Sequence, residues 1–359
     1  FRLSVHMKRI FWLLFFPVEL AYDYSFNQIP LKSFSDPAVL ISIGLYLALL
    51  GFAFAGFVSR NTISLGIWWY LAGISLVSNL VLNVGAPMGE RFLFQPSIGF
   101  AVVIGLLLSK LSQKQVLLAT MLGLTTLSFA RTVTRNTDWK DEQTLLIRDI
   151  EKVPNSARAC NGAGVALIKL ATDSPDPLKQ KEYYLKSIEY LNRGNEIYPG
   201  NLHGYLNLGV SYSRLDSVEA AERCWNLARA ISPNFAKLKE YDYYLAVSYR
   251  NRGASLTAAR DSLKAFESFR KSLAYDSTYA EGWFAAGLAY GTFRNFPMAV
   301  SYLQKATELA PQQASYWENL GGAAYSVQNF SLAKTAWQTT LQLDPANQVA
   351  LQGMSVLPK

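Results

Sequence analysis

Apolar positions along this chain fall into two regimes. Between Val39 and Ala130 they are nearly continuous, in four runs separated by short polar loops. Val39 to Val58 is free of charge, and a helix of that length, at ~1.5 Å per residue, spans the ~30 Å hydrocarbon layer of a bilayer. Ile63 to Leu82 forms a second run, with Trp68, Trp69 and Tyr70 near one end, and further runs cover 92–108 and 116–130. The connections are tight: Ser59 to Thr62, Asn83 to Arg91, and Ser109 to Gln115. Four such runs in succession read as spanning helices and not as the core of a soluble domain.

From Asn155 to Pro345 the apolar positions are periodic instead, recurring every 34 residues. That is the period of a tetratricopeptide repeat, a pair of helices with Gly and Ala where the pair closes and large residues between neighbouring pairs. One unit reads Tyr205, Leu208, Gly209, Tyr212, Ala221, Trp225, Ala228 and Pro233. Two later units follow in register, with Trp283, Gly287, Tyr290, Ala299, Ala306 and Pro311, then Trp317, Gly321, Ala333, Trp337 and Pro345. Two others carry insertions, around Ser174 to Pro177 and around Gly253 to Leu256, expected as loops between paired helices. Residues 139–154 read as a half-unit, and Val349 to Met354 as the stub of a capping helix. The pattern predicts an all-α chain, a multi-pass transmembrane helix bundle followed by a tetratricopeptide-repeat α-solenoid. Its segments are an interfacial loop segment at 1–38, four spans in 39–131 (39–58, 63–82, 92–108, 116–130), and about five repeats with half-unit and cap in 132–359.

Charge sets an orientation. The loop bases Arg60, Lys110 and Lys114 lie on one side without acids, whereas Arg91 on the other side sits beside Glu90. The positive-inside rule puts the first three in the cytoplasm and the repeats on the periplasmic or lumenal side of an inner or ER-like membrane. Arg131 and Arg135 weigh the other way. The net charge of +8 carries no nucleic-acid signature, because no basic stripe with interleaved aromatics exists. The two cysteines and two histidines have no metal-site spacing, and no phosphate loop or nucleophilic triad is present. No cofactor is expected from composition. The span centres lack Asp, Glu, Lys and Arg, which speaks against a transporter.

The segment before the first span is apolar and aromatic from Ile10 to Phe16, is broken by Pro17, and continues to Phe26. It reads as an interfacial helix, with the end of a further span as the alternative. Phe16-Pro17-Val18-Glu19-Leu20-Ala21-Tyr22-Asp23-Tyr24-Ser25, then Ile29-Pro30-Leu31, resembles the loop of the transmembrane and tetratricopeptide-containing O-mannosyltransferases. Gly89-Glu90-Arg91-Phe92-Leu93-Phe94-Gln95-Pro96-Ser97-Ile98-Gly99-Phe100 resembles a second element of that family, in its bacterial relatives especially. The resemblance implies a membrane glycosyltransferase of type C that moves a sugar, with mannose as the example, from a lipid-phosphate donor to protein. It also implies repeats that present the acceptor. That family's catalytic acids belong to an earlier outer loop and match nothing in this chain. The chain opens on Phe1 in what reads as coding sequence, so upstream residues are expected.

Candidate residues follow. Arg91 is the candidate for the donor phosphate, with Glu90 orienting it; an interfacial ion pair anchoring a helix end is the alternative. Asp23 is a candidate catalyst against a plain turn residue. Lys169, Arg214, Arg250, Asn251 and Tyr325 are expected along the inner wall of the repeats, meeting an extended protein or peptide, or else forming a solvated face. Two functions stand: the C-terminal part of a lipid-linked sugar transferase, or a non-catalytic membrane-anchored scaffold for protein–protein interaction. Membrane lipid is an expected partner in both.

Overall fold

A computed structural model describes residues 11–18, 20–29, 32–33, 35–77 and 89–358. Among these residues the regular elements are helical. The chain divides into two compact units, 1–211 and 212–359.

In the first unit a helical turn at 11–15 leads into an extended loop that runs to Ile29. Helix α1, Pro37–Val58, starts where Asp36 accepts a hydrogen bond from Ala38 N and Pro37 supplies the fixed φ of a first helical turn. Helix α2 is Thr62–Val77; the rest of the expected run to Leu82 lies outside the described residues. A single 3-10 turn, Glu90–Leu93, opens α3, Phe94–Leu108. Helices α2 and α3 cross closely because their contact is lined by small residues. A Cβ on Gly99 would lie 2.6 Å from Tyr70 N, and one on Gly66 would lie 2.9 Å from Gly99 O.

Helix α4, Lys114–Asp138, runs eight residues past the expected end of the fourth span at Ala130. Nothing from Arg131 to Asp138 breaks a helix, so the polar stretch continues the apolar one. Twenty-five residues make ~37 Å, more than the ~30 Å layer requires. By length and composition Pro37–Val58, Glu90–Leu108 and Lys114–Asp138 can each cross a membrane, and Thr62–Val77 is a shorter apolar helix. Helix α5, Glu142–Lys152, is the half-unit, capped by Asp141. Helices α6, Ala157–Asp173, and α7, Pro177–Ile197, form the first pair. Gly164 lets them close, since a Cβ there would be 2.5 Å from Leu191 Cγ. Only Ser174 to Asp176 separate the two helices, so the insertion around Pro175 lengthens helices and adds little loop. Helix α8 is Leu202–Arg214.

The second unit continues with α9, Val218–Ile231, and α10, Leu238–Ala258. Here too the insertion expected as a loop is helix: α10 is 21 residues long. Next come α11, Ser262–Tyr275; α12, Ala280–Thr292; α13, Phe296–Leu309; α14, Ala314–Ser326; α15, Phe330–Leu343; and the capping α16, Gln348–Ser355. The phase is also written in the backbone. Arg260, Arg294 and Gln328 each take positive φ, at the 34-residue interval. Each ends a first helix, and the residue after it donates back into that helix (Asp261 N to Leu256 O, Asn295 N to Tyr290 O, Asn329 N to Ala324 O). That is a left-handed helix cap held without glycine.

Candidate functional site

The loop from Pro17 to Gln28 is where the predicted acids and the repeat array meet, all within the first unit. Toward the apolar helices it is held by Glu90, whose Oε1 accepts from Ala21 N and from the Tyr24 hydroxyl, the latter at 2.7 Å. Arg131 donates to the carbonyls of Pro17 (2.8 Å) and Val18. Phe15 packs edge-on against Phe100 of α3 with ring centroids 4.7 Å apart. Toward the repeats, Tyr22 N donates to Asp149 Oδ2 at 2.7 Å. Ser25 O accepts from Arg158 N and from the Ser156 hydroxyl, and Phe26 O accepts from Ala157 N. Leu13, Ala21, Tyr24 and Ile29 form one apolar cluster with Ile150, Val153, Ala159, Cys160 and Ala163.

Arg135, near the end of α4, makes a two-point ion pair with Asp149 at 2.6 and 3.0 Å and a third contact to Asp138 at 2.9 Å. Lys152 closes the network on Asp138 at 3.0 Å. Asp149 has no exposed surface and Arg135 only 6%. A buried pair of this kind persists only where several hydrogen bonds satisfy both ions, and here the carboxylate takes two guanidinium bonds and a backbone amide. Burial, with the negative charge of Asp23 beside it, pushes the Tyr22 hydroxyl up to about 12.

The predicted site residues therefore separate. Glu90 and Arg91 are sequence neighbours with different partners. The Glu90 carboxylate is turned onto the loop, and Arg91 is exposed, with Cζ 5.2 Å from the Phe92 ring centroid. Among the described residues no carboxylate pairs with Arg91. Asp23 is buried; it accepts from Ser25 N at 2.6 Å and pairs with Arg158 at 3.2 Å, the geometry of a turn residue. Asp149 was not singled out from the sequence, and Arg135 was read there only as a loop charge bearing on orientation. The available signal was an acid at Asp149 on the buried stripe of α5 that Leu145 and Ile150 define.

The five expected groove residues have different local surroundings. Lys169 stands near Asp141, whose carboxyl is held below the usual range first by the Thr144 backbone amide. Arg214 closes the last turn of α8. Arg250 donates to the Tyr279 hydroxyl at 3.0 Å and pairs with Glu281 at 2.7 Å, with Tyr243 edge-on to Tyr279. Its neighbour Asn251 lines a polar cleft of about 710 Å³ with Glu219, Arg223 and Arg252. Tyr325 lies against Phe330 and Trp337. A tighter node sits elsewhere in the second unit: Glu222 accepts from Tyr249 (2.5 Å), Tyr275 (2.6 Å) and Lys271 (3.3 Å). Burial raises its carboxyl, but these donors outweigh burial and leave it below the usual range.

Fold and site together define a membrane protein in which apolar helices are joined to a helix-pair repeat array. A tetratricopeptide-repeat family model matches residues 280–313. The chain is similar to protein O-mannosyl-transferase TMTC3 of Mus musculus, 26% identical over 362 residues, covering 96% of this chain and 38% of the relative. It is 31% identical over 157 residues to TMTC4 of Homo sapiens, covering 41% of this chain and 21% of that protein. Both relatives are named protein O-mannosyl-transferases. The chain thus spans well under half the length of those relatives. Among solved structures it is similar to YrrB, a tetratricopeptide protein with an unusual peptide-binding site (15% identity, TM-score 0.35, covering 59% of this chain and 98% of that one). The second such domain of human RPAP3, in complex with an HSP70 peptide, is similar over 33% of this chain and 98% of its own (22% identity, TM-score 0.32).

Proposed function

We propose that this chain is part of a membrane glycosyltransferase that moves a sugar, mannose by the names of its relatives, from a lipid-phosphate donor to protein. It crosses the membrane several times, and its repeats lie on the periplasmic or lumenal side and present the acceptor. The observation that carries this reading is the pairing at the start of α3. The carboxylate beside Arg91 is engaged by the loop, which leaves an exposed guanidinium at the end of a membrane-length helix, where a lipid phosphate would lie. The relatives, named as protein O-mannosyl-transferases, support transfer to protein as the chemistry. The repeats of the second unit offer Arg250, Glu281 and Tyr279 as hydrogen-bonding groups for an extended acceptor.

The scaffold reading has one observation of its own: Asp23 and Asp149, acids of the described junction, are buried in ion pairs and unavailable as a base. Arg91→Ala in the full-length protein decides between the two. Loss of lipid-phosphate donor affinity and of transfer, with Arg91→Lys partly retained, supports the transferase. Unchanged transfer and affinity would remove Arg91 from the donor site. Absence of any transfer in the unmodified protein would leave the scaffold.

A further inference from the structure

The repeats begin with a half-unit, so the first full pair, α6 and α7, lacks the complete neighbouring pair that covers an end face in the middle of an array. A stack of this kind needs its terminal apolar face covered. Here that face consists of Ile150, Val153, Ala159, Cys160 and Ala163, and the buried side chains upon it, Leu13, Ala21, Tyr24 and Ile29, come from the segment ahead of the first apolar helix, with Leu93 of the turn before α3 packed beside them.

The same segment completes the start of α6. The first four amides of a helix have no partner within it. In α6 the first two, Ala157 and Arg158, donate to Phe26 O at 2.7 Å and Ser25 O at 3.2 Å. The third, Ala159, donates to the Ser156 hydroxyl at 3.1 Å, and the fourth, Cys160, to Ser156 O at 2.9 Å. Just ahead of them, Asn155 N donates to Gln28 Oε1 at 2.8 Å. Two of the four amides thus depend on a strand of chain about 130 positions away in sequence.

That strand is also tied to the apolar helices through Glu90 and Arg131, and α4 is tied to α5 through Arg135 and Asp149. Asp149 holds both ties, because it accepts from Tyr22 N and from Arg135 at once. We infer that the Pro17–Gln28 loop is the N-terminal cap of the repeat array, and that through Glu90 and the Arg135–Asp149 node it locks the first repeats to the apolar helices as one cooperative body. The first repeats are then carried at a fixed attitude by α4 and do not swing on a linker. This holds whether or not the chain takes part in sugar transfer.

The amides of Ala157 and Arg158 report on the cap, because they are protected only while the loop carbonyls sit on them. Residue-resolved hydrogen exchange of the full chain in lipid nanodiscs measures both. In the unmodified chain they exchange far below their intrinsic rates. Cutting the loop's tie at the other end, with Tyr24→Phe and Glu90→Ala together, touches neither amide. It is expected to speed their exchange about tenfold, the effect of about one lost buried hydrogen bond. Arg131→Gln, which frees the Pro17 and Val18 carbonyls, moves the same two amides in the same direction. Amides in the middle of α12 stay unchanged and report that each variant is folded. Intrinsic-rate exchange at Ala157 and Arg158 in the unmodified chain would overturn the cap. Faster exchange confined to the loop, with those two amides unmoved, would overturn the lock.

Discussion

Gly321 and Gly322 are adjacent in α14 and should respond to alanine in opposite directions. A Cβ on Gly322 meets nothing within 4 Å. A Cβ on Gly321 would be 2.8 Å from Trp337 Cε2 and nearer still to Nε1 and Cδ1. The indole cannot yield easily. It is 4% exposed, and the α16 backbone backs it at Gly353, where a Cβ would be 2.5 Å from the same Cε2. Replacing an interior helix glycine by alanine gains ~1 kcal/mol of helix propensity. Overpacking a rigid core site loses ~1–3 kcal/mol, and the ring held on both sides argues for the upper part of that range. Gly322→Ala is therefore expected to stabilise the last repeats by ~1 kcal/mol and Gly321→Ala to destabilise them by ~2 kcal/mol. The ~3 kcal/mol difference is roughly a hundredfold in local opening. Hydrogen exchange of the α14 and α15 amides measures it in the intact chain. Equal shifts, or shifts of the same sign, would refute the reasoning that the repeat keeps glycine at Gly321 because the paired helix fills the space.

Three more expectations follow from the same geometry. Asp149→Ala leaves the buried Arg135 guanidinium with Asp138 as its remaining carboxylate and should lower the stability of the first unit by ~3 kcal/mol, read by chemical unfolding; a loss below ~1 kcal/mol would mean that water reaches the pair. The carboxyl of Glu222 is depressed in the folded state, so its contribution is present above the ordinary carboxylate range and is lost as pH falls through the folded-state value. Glu222→Gln should flatten the acid side of the stability profile of the second unit, and an unchanged slope would show that another carboxylate carries it. Burial pushes the Cys160 and Cys224 thiols up to about 11, so both should resist maleimide at neutral pH and react on unfolding; rapid labelling of the folded chain would contradict the packing described.

Periodicity carried the architecture well. The 34-residue phase located the paired helices and the close contacts at Gly287 and Gly321, because each is a local requirement of one helix on its partner. It misjudged the insertions. Residues around Gly253 were expected as loop, yet the stretch lacks a strong breaker and α10 runs on to Ala258. The end of the fourth apolar run was misjudged for a similar reason, since hydropathy ends at Ala130 but helical hydrogen bonding continues to Asp138. The junction was legible only in part. Glu90, Arg91 and Asp23 were visible as charges in an apolar setting, but their partners lie up to about 130 positions away, and pairwise contacts at that separation leave no periodic trace. That is why Glu90 was matched with its neighbour Arg91 and not with Tyr24, and why Arg135 passed as a loop charge and Asp149 as an ordinary helix residue.

Transfer itself is the most direct test of the account. Membranes containing the native protein would be supplied with a labelled lipid-phosphate mannose and an acceptor protein, and acceptor-bound mannose measured by mass spectrometry, with membranes lacking the protein as the reference. Protein-linked mannose that depends on the protein and falls with Arg91→Ala is the expected result. Donor left unconsumed and acceptor left unmodified by intact, membrane-inserted protein would contradict it.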